Sequence, residues 1–516
     1  MRFKILFPAI VLITSLIFLS IGLNNVGEHW DEVTVASAGE SYLGFIKNGD
    51  FSQNSWELNH EHPPVAKYIY GTARFLTKNV SFLQDKSGYF DRNKLVYYPV
   101  GRDFLFARFF SVVMSALTLA IVFLIAWELT KSRKIALLAS AILFVNPVFQ
   151  SYARIVSLEV PLLLFGSLFV WFSLKYANTK SLKNYIAVVV SFAMLIGTRY
   201  NGLLLLPFFY FVNLTNWSNL TNLVRRLANY RNLLMPVFSL MFLVCIWPYL
   251  WVNPIGHLLT SADRGLEVHT REYFLGQLGN TPWSYYFVYF GVRTPLILLA
   301  GFVAGALSPA RLNAFHAFGG GRRVLLLVLF LLPFLASLLP LKQDGLRYVN
   351  LYLIGFSIIC AVGMSWVIGE IRVIGIKFLI LITTATLLII NLFNYFPNYL
   401  DYYNGLVPSN RIYFQRLFEI GGWGEGVLEA VKNLPKPKNG EISKVYLAIS
   451  PVHIIPDLPE GYKATADFSQ ADFVIINTNY RWYDNMVQDK DLENFKLINT
   501  ISAGEKFPLV STYRRN

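Results

Sequence analysis

Two adjacent carboxylates, Asp31 and Glu32, stand in "NNVGEHWDEVTVASAGESY" (residues 24–42), where an apolar run of roughly twenty residues ends. One reading is an ordinary polar boundary where a helix leaves a bilayer. The other is an acid pair placed for proton transfer. Four further stretches bear on the choice. "NHEHPPVAKY" (59–68) sets His60, Glu61 and His62 before two prolines. Pro63 and Pro64 cannot continue a helix behind them and push their predecessors toward extended backbone. The expectation is a stiff turn presenting His62, then a helix bearing Lys67. His60 and His62 could supply half of a metal site, since a complete one needs more ligands. "SYARIVSLEVPL" (151–162) is a short connection between apolar runs that carries Arg154 and Glu159. Charges at membrane depth are costly and mark a pathway or a paired site, so an Arg–Glu pair bracing two helices stands beside the functional reading. "GTRYNG" (197–202) holds Arg199 in a tight turn, and "LKQDGLRYVN" (341–350) holds Lys342, Asp344 and Arg347.

These residues need elements to position them. The chain has 516 residues, of which 54% are hydrophobic and 15% charged. A soluble domain carries about 25% charged residues, so this is an integral membrane protein. The formal charge of +14 does not point to nucleic acid, because the Lys and Arg residues fall in short clusters between apolar runs. "KSRK" (131–134), "RRLANYR" (225–231) and "GRR" (321–323) are examples, and they follow the pattern of cytoplasmic loops. Spans of about twenty residues are expected at roughly 4–23, 104–127, 135–150, 156–174, 184–198, 200–216, 233–252, 285–307, 324–341, 348–369 and 378–396. With "MRFK" inside, eleven spans put every basic cluster on the cytoplasmic side; fusing 184–216 into one helix would not. The first run exceeds a signal-peptide core, and "ASA" at 36–38 lies too far beyond it, so the segment is read as a span. Cys245 and Cys360 lie in apolar runs and offer no disulfide framework.

The expected organisation is a membrane domain over 1–396 with a long outer loop at 24–103, followed by an extracytoplasmic α/β domain over 397–516. "KVYLAI" and "DFVIIN" read as short buried strands, and "WGEGVLEAVKNL" as a helix after a glycine-rich turn. The parity of the spans places all the charged stretches above on the outer face. That face would gather an acidic centre in a basic pocket. No P-loop or glycine-rich βαβ fingerprint is present, which suits a site away from cytoplasmic nucleotides. Arginines at the edge of the hydrocarbon would bind a lipid-linked phosphate in two-pronged fashion.

Taken together, "HWDE", "HEHPPVAKY", the R-x4-E of 154–159, "GTRYNG" and "LRY" resemble glycosyltransferase family 39. "YLDYYNGL…GGWGEGVLEA" (399–430) is similar to a segment of its prokaryotic members. That family includes protein O-mannosyltransferases, aminoarabinose transferases and phospholipid-carrier-dependent glycosyltransferases. The resemblance implies a GT-C fold with an outward cavity and interfacial helices in the first loop. It implies a polyprenyl-phosphate sugar donor of dolichyl or undecaprenyl type and a hydroxyl acceptor on a lipid, glycan or protein, consistent with a role in the cell envelope. Transfer would be inverting, with Asp31 as base and Glu32 assisting. His62, Lys67, Arg154, Glu159, Arg199, Lys342 and Arg347 would bind substrate, and no cofactor is required beyond an optional divalent metal at His60 and His62. Glu159 stands where relatives often carry Asp, and the loops after residue 104 are too short for a β-trefoil. Two other classes share some features. A transporter would show inverted repeats and charges near the midplane; a non-catalytic partner of glycan synthesis would not need the acid pair.

Overall fold

The structure, a computed structural model, describes residues 2–77, 88–91, 96–99, 104–214, 230–267, 271–279, 281–308, 321–340, 342–437, 441–450, 455–483, 487–504 and 507–516. Arg225 and Arg226 of the second basic cluster lie outside the described residues. The chain is mostly helical, with a small sheet near its C-terminus. An apolar helix occupies each of the eleven segments expected from hydropathy. Among the described residues, however, five helices are long and apolar enough to cross a membrane: Leu6–Asn25, Phe104–Thr130, Glu159–Thr179, Tyr352–Glu370 and Ile374–Asn394. A sixth follows if Tyr285–Arg293 and Leu296–Leu307 count together, and these are bent by 115°. The count of eleven spans is therefore not confirmed among the described residues.

The first helices in order are α1 (Arg2–Ser20), α2 (Trp30–Asn48), α3 (Gln53–Trp56), α4 (Val65–Thr77), α5 (Phe104–Thr130) and α6 (Arg133–Val145). They are followed by α7 (Pro147–Tyr152), α8 (Glu159–Thr179), α9 (Leu182–Ile196) and α10 (Leu206–Leu214). The boundaries have local causes. The side chains of Ser132, Asn146 and Ser181 accept hydrogen bonds from backbone N–H groups in the first turns of α6, α7 and α9. Pro147 follows its cap, where a missing N–H costs nothing. The doubtful pair at 184–216 is two elements, because α9 stops at Ile196 and a 3-10 turn over Tyr200–Leu205 opens the next. The 115° break falls at Thr294–Pro295, and Asn404 covers it. The Asn404 side-chain amide donates to the carbonyls of Gly291 and Thr294 at 2.7 Å each, and its backbone N–H donates to Val292 at 2.8 Å. Carbonyls freed by a break at membrane depth need such partners.

Two helices of the first long loop set the site. At their crossing, a Cβ on Gly39 of α2 would lie 2.1 Å from the Lys67 carbonyl oxygen of α4. One on Gly71 would lie 2.4 Å from the Gly39 backbone. Only glycine allows this approach, which holds the start of α2 beside the turn before α4. That turn is itself docked: the Val65 N–H donates to the Gly197 carbonyl at 2.9 Å. The loop also contains an antiparallel pair, β1 (Gly88–Asp91) with β2 (Val96–Pro99). A second short pair, β3 (Tyr273–Phe274) with β4 (Gln277–Leu278), follows later in the chain.

The C-terminal sheet comprises β5 (Ser443–Ala448), β6 (Tyr462–Thr465), β7 (Phe473–Asn477), β8 (Phe495–Ala503) and β9 (Phe507–Arg515), in the order β6-β5-β7-β9-β8. β5 runs parallel to β6 and β7, and β9 runs antiparallel to β7 and β8. All five residues of β7 are buried, as expected for a strand covered on both faces. Phe473 and Ile475 join the core shared with the membrane helices, whereas Val474 and Ile476 close a second, smaller core with Tyr480 and Phe495. This is the period of two in a strand. The helix expected from "WGEGVLEAVKNL" forms over Val427–Lys432.

The glycine crossing gives a direct test. Gly71→Ala should lower unfolding stability by about 1–3 kcal/mol through overpacking. Gly44→Ala, also on α2 but with nothing within 4 Å of its Cβ, should gain up to about 1 kcal/mol from helix propensity. Thermal unfolding of both variants would contradict the crossing if they behaved alike.

Candidate active site

Asp31 and Glu32 occupy the first turn of α2, and adjacent helical residues point about 100° apart. They part company accordingly. Glu32 turns inward and is fully buried. Its carboxylate accepts from Arg108 Nε at 2.8 Å and Nη2 at 2.7 Å, from the His29 N–H at 2.9 Å, and from the Val156 N–H at 2.9 Å. Arg108 spends its remaining donors on the carbonyls of Val26 at 2.7 Å and Gly27 at 2.8 Å. Burial by itself would raise the Glu32 carboxyl, but Arg108, with help from His29, holds it at about 2. Glu32 does not line the cavity that Asp31 faces. Its partners make it an anchor for the start of α2.

Asp31 faces a cavity of about 700 Å³ and pairs with Arg347 Nη2. Arg347 also donates from Nε to Glu159 Oε1 at 2.5 Å and from Nη1 to Asp344 Oδ2 at 3.3 Å. Glu159, at the first position of α8, takes a second bond at 2.5 Å from Arg199 Nη1 on the same oxygen. The Arg199 guanidinium lies 3.8 Å from the Tyr348 ring centroid. Asp31, Arg347, Glu159 and Arg199 thus form one chain of charge. Among the described residues, Glu159 Oε2 and Arg199 Nη2 have no hydrogen-bond partner. Burial raises the Asp31 carboxyl above the ordinary carboxylate range; Arg347 opposes this, while Glu159 and Asp344 add to it. The raised group is a stronger base than a free aspartate.

His60 and His62 both line the cavity. His60 donates from Nδ1 to the Glu57 carbonyl at 2.6 Å and stacks on Tyr249 at 5.0 Å. Burial, then Arg199, Lys67 and Arg347, push the His62 ring well below its usual pKa, so it is neutral at neutral pH. Among the described residues, no group of three or more His, Cys, Asp or Glu is arranged to hold a metal ion.

Glu159 and Arg199 do not line the cavity, and neither do Lys67, Arg154 and Lys342. Lys67 is fully buried, donates to the carbonyls of Asn59 and His62, and sits 5.2 Å from the Tyr42 ring centroid. Burial lowers its ammonium to about 7. It stitches the turn that presents His62. Arg154 does not pair with Glu159; it donates to the carbonyls of Leu19 at 3.0 Å and Phe18 at 3.3 Å and to Gln150 at 2.5 Å, closing the end of α1. Lys342 donates to the Leu339 carbonyl at 2.8 Å. Each spends at least one donor on a backbone carbonyl.

The cavity is acidic, which corrects the expectation of a basic pocket. Asp31, Glu57, Glu61, Glu272, Asp344 and Glu419 line it, against Arg264, Arg271 and Arg347. Glu272 accepts from the Tyr285 hydroxyl and the Asp344 N–H, and Glu419 from the Tyr483 hydroxyl at 2.6 Å and Asn479 Nδ2 at 3.2 Å. Burial raises Glu419 to about 7. Ser450, Asn479 and Tyr483 belong to the C-terminal sheet region, which walls one side of the cavity. Glu272 sits in no recognisable motif, and Glu419 falls in the unquoted middle of the 399–430 segment. Arg108 had a signal: an arginine within the apolar run "LFARFF" needs a buried partner.

A helical membrane body with a charged cavity at the ends of its helices, and a small terminal sheet domain beside it, is the arrangement expected of a GT-C glycosyltransferase. The family described as dolichyl-phosphate-mannose-protein mannosyltransferase matches residues 9–258. Those residues, just under half of the chain, are similar to this family of membrane glycosyltransferases, in agreement with the resemblance carried by its motifs. No curated protein matches the chain. Among solved structures, ArnT from Cupriavidus metallidurans bound to undecaprenyl phosphate is similar at 12% identity and TM-score 0.49, over 99% of this chain and 98% of that one. The Archaeoglobus fulgidus oligosaccharyltransferase is similar at 11% identity and TM-score 0.47, over 92% and 70%. The S. cerevisiae protein O-mannosyltransferase Pmt1-Pmt2 complex bound to the sugar donor is similar at 17% identity and TM-score 0.33, over 49% of this chain. The chain spans about a third of that relative's length, 34%.

The Glu32–Arg108 pair predicts a stability effect. Breaking a buried pair costs about 3–5 kcal/mol because one charge is left alone, so Glu32→Gln and Arg108→Met should each lose that much in thermal unfolding. The double variant Glu32→Met/Arg108→Met should recover part of it. The Glu32 contribution is complete above the unfolded value near 4.5 and is lost as pH falls through about 2. Single variants as stable as the parent would remove the anchor role.

Proposed function

We propose that the protein transfers a sugar from a polyprenyl-phosphate donor to a hydroxyl acceptor on a lipid, glycan or protein, with inversion. The active site faces the extracytoplasmic side and the N-terminus lies in the cytoplasm. The observation that carries this reading is the placement of Asp31 on the cavity wall, paired with Arg347, while its neighbour Glu32 is withdrawn. Asp31 takes the proton of the acceptor hydroxyl. The acceptor oxygen then bonds to the anomeric carbon as the bond from that carbon to the phosphate oxygen breaks. The lipid monophosphate leaves with one more negative charge than it carried as a diester.

That charge needs cations aimed at it. Among the described residues Arg347, Arg264 and Arg271 are the arginines that line the cavity, and they take this role in place of Arg154 and Lys67. Arg199 acts from behind, through Glu159, by holding Arg347. A donor phosphate that draws on Arg347 weakens the cation that holds Asp31 down, so the base strengthens as the donor arrives. His62, kept neutral, can hydrogen-bond the sugar or the acceptor without adding charge. The similarity of residues 9–258 to that glycosyltransferase family supports the reaction class; the donor, acceptor and roles of these residues rest on the chemistry above.

The test is turnover by the purified protein with a panel of polyprenyl-phosphate sugars and mixed acceptor alcohols. Asp31→Asn should lower the rate by about 10²–10⁴-fold, the usual share of a general base. In the parent protein, kcat/KM should rise with pH along a limb set above the free-aspartate value of about 3.9, and Asp31→Asn should abolish that limb. Retained turnover in the variant would remove Asp31 from the role of base. Activity on nucleotide sugars with none on lipid-linked donors would overturn the proposal.

A further inference from the structure

Trp423 belongs to the segment "GGWGEG" (421–426), which follows the last membrane helix and precedes the C-terminal sheet. It lies among the cavity-lining residues, and its ring centroid is 4.5 Å from the Arg347 guanidinium. The contact is notable for what Arg347 has left to offer. Its Nε, Nη1 and Nη2 are committed in the guanidinium plane to Glu159, Asp344 and Asp31. One N–H on each Nη is left for a donor phosphate, while the flat face makes no strong hydrogen bond but is attracted to an aromatic ring. A ring there fixes the plane without competing for any donor.

The ring is itself held. Its edge meets Tyr152 at 6.3 Å and 71°. The Trp423 carbonyl accepts from the N–H of Trp30, the residue before Asp31, at 3.2 Å. Its N–H donates to Glu425 at 2.9 Å. The segment is pinned on both sides, by the Gly421 N–H to Asp401 at 2.9 Å and the Gly426 N–H to Asn398 at 3.1 Å. Gly424, at φ +102°, makes a turn that a side chain would strain.

We infer that Trp423 is a positioning residue for the transfer reaction: its ring sets the plane of Arg347 between Asp31 and Glu159, and its carbonyl holds the start of α2. The inference rests on the proposed function. It makes the C-terminal segment a part of the active site, since one residue there touches both the cation and the backbone beside the base.

The experiment compares Trp423→Phe and Trp423→Leu in the full-length protein with whichever polyprenyl-phosphate sugar the parent turns over. Leu should lower kcat roughly tenfold, the scale of a desolvated cation–π contact, with donor KM within about twofold. Phe should recover most of the loss. A loosened Arg347 holds Asp31 down less, so the acid limb of the Leu variant should move to higher pH. A contact that only packed the loop would leave that limb in place. A melting-temperature cycle of Trp423→Leu, Arg347→Met and the double variant reads the pair without activity, and its two losses should fall short of additive. An unmoved limb, or additive losses, would overturn the inference. If the parent moves no sugar from any lipid donor, the proposed function fails and the role of Trp423 in it fails too, while the melting cycle still reports whether the pair is real.

Discussion

Arg347 is the group on which the site depends. One buried guanidinium meets three carboxylates, Glu159, Asp344 and Asp31, from three separate stretches of chain. A lysine could not do this, because only the planar fork offers several donors in fixed directions. Removing it would leave three like charges facing one another at low dielectric, and such groups cannot all stay ionised. The position of Asp31 and the ordering of the α8 N-terminus are therefore one problem with one solution. Arg199 reinforces it by sharing the Glu159 oxygen that Arg347 uses.

The second constraint is the division between two neighbouring carboxylates. Glu32 is spent on Arg108 and two backbone N–H groups; Asp31 is not. Because they share a helical turn, fixing one fixes the other. The Glu32–Arg108 pair ties α2 to α5 and to the turn before α8, so the proposed base is aimed from behind by a group that does not line the cavity. The same economy recurs around the site. Lys67 shapes the His62 turn and Arg154 closes α1. Among the described residues, the buried cations thus divide into Arg347, which lines the cavity, and others that hold the frame.

The sequence made the candidate residues legible but not their directions. Asp31, His62 and Arg347 do meet at one cavity, and the motifs that contain them suggested as much. Glu32, Lys67, Arg154 and Lys342 looked equivalent on the page, yet a position on a helix does not say which backbone carbonyl a long side chain will reach. Glu272 and Glu419 could not be found at all, since tertiary folding alone brings 272, 344 and 419 together. Hydropathy located every apolar helix but not its length, because it does not weigh a break such as Thr294–Pro295, where Asn404 from a distant segment supplies the missing partners. The strands "KVYLAI" and "DFVIIN" were readable because each centres on a short apolar run, which in β7 is buried on both faces.

The central claim is that Arg347 is shared between the base and the donor phosphate. The most direct measurement is a cryo-EM structure of the protein with a non-transferable polyprenyl-phosphate sugar analogue. The account predicts phosphate oxygens within hydrogen-bond distance of Arg347, with the Asp31 carboxylate turned toward the anomeric carbon. A phosphate seated away from Arg347, with the Asp31–Arg347 pair intact, would contradict it.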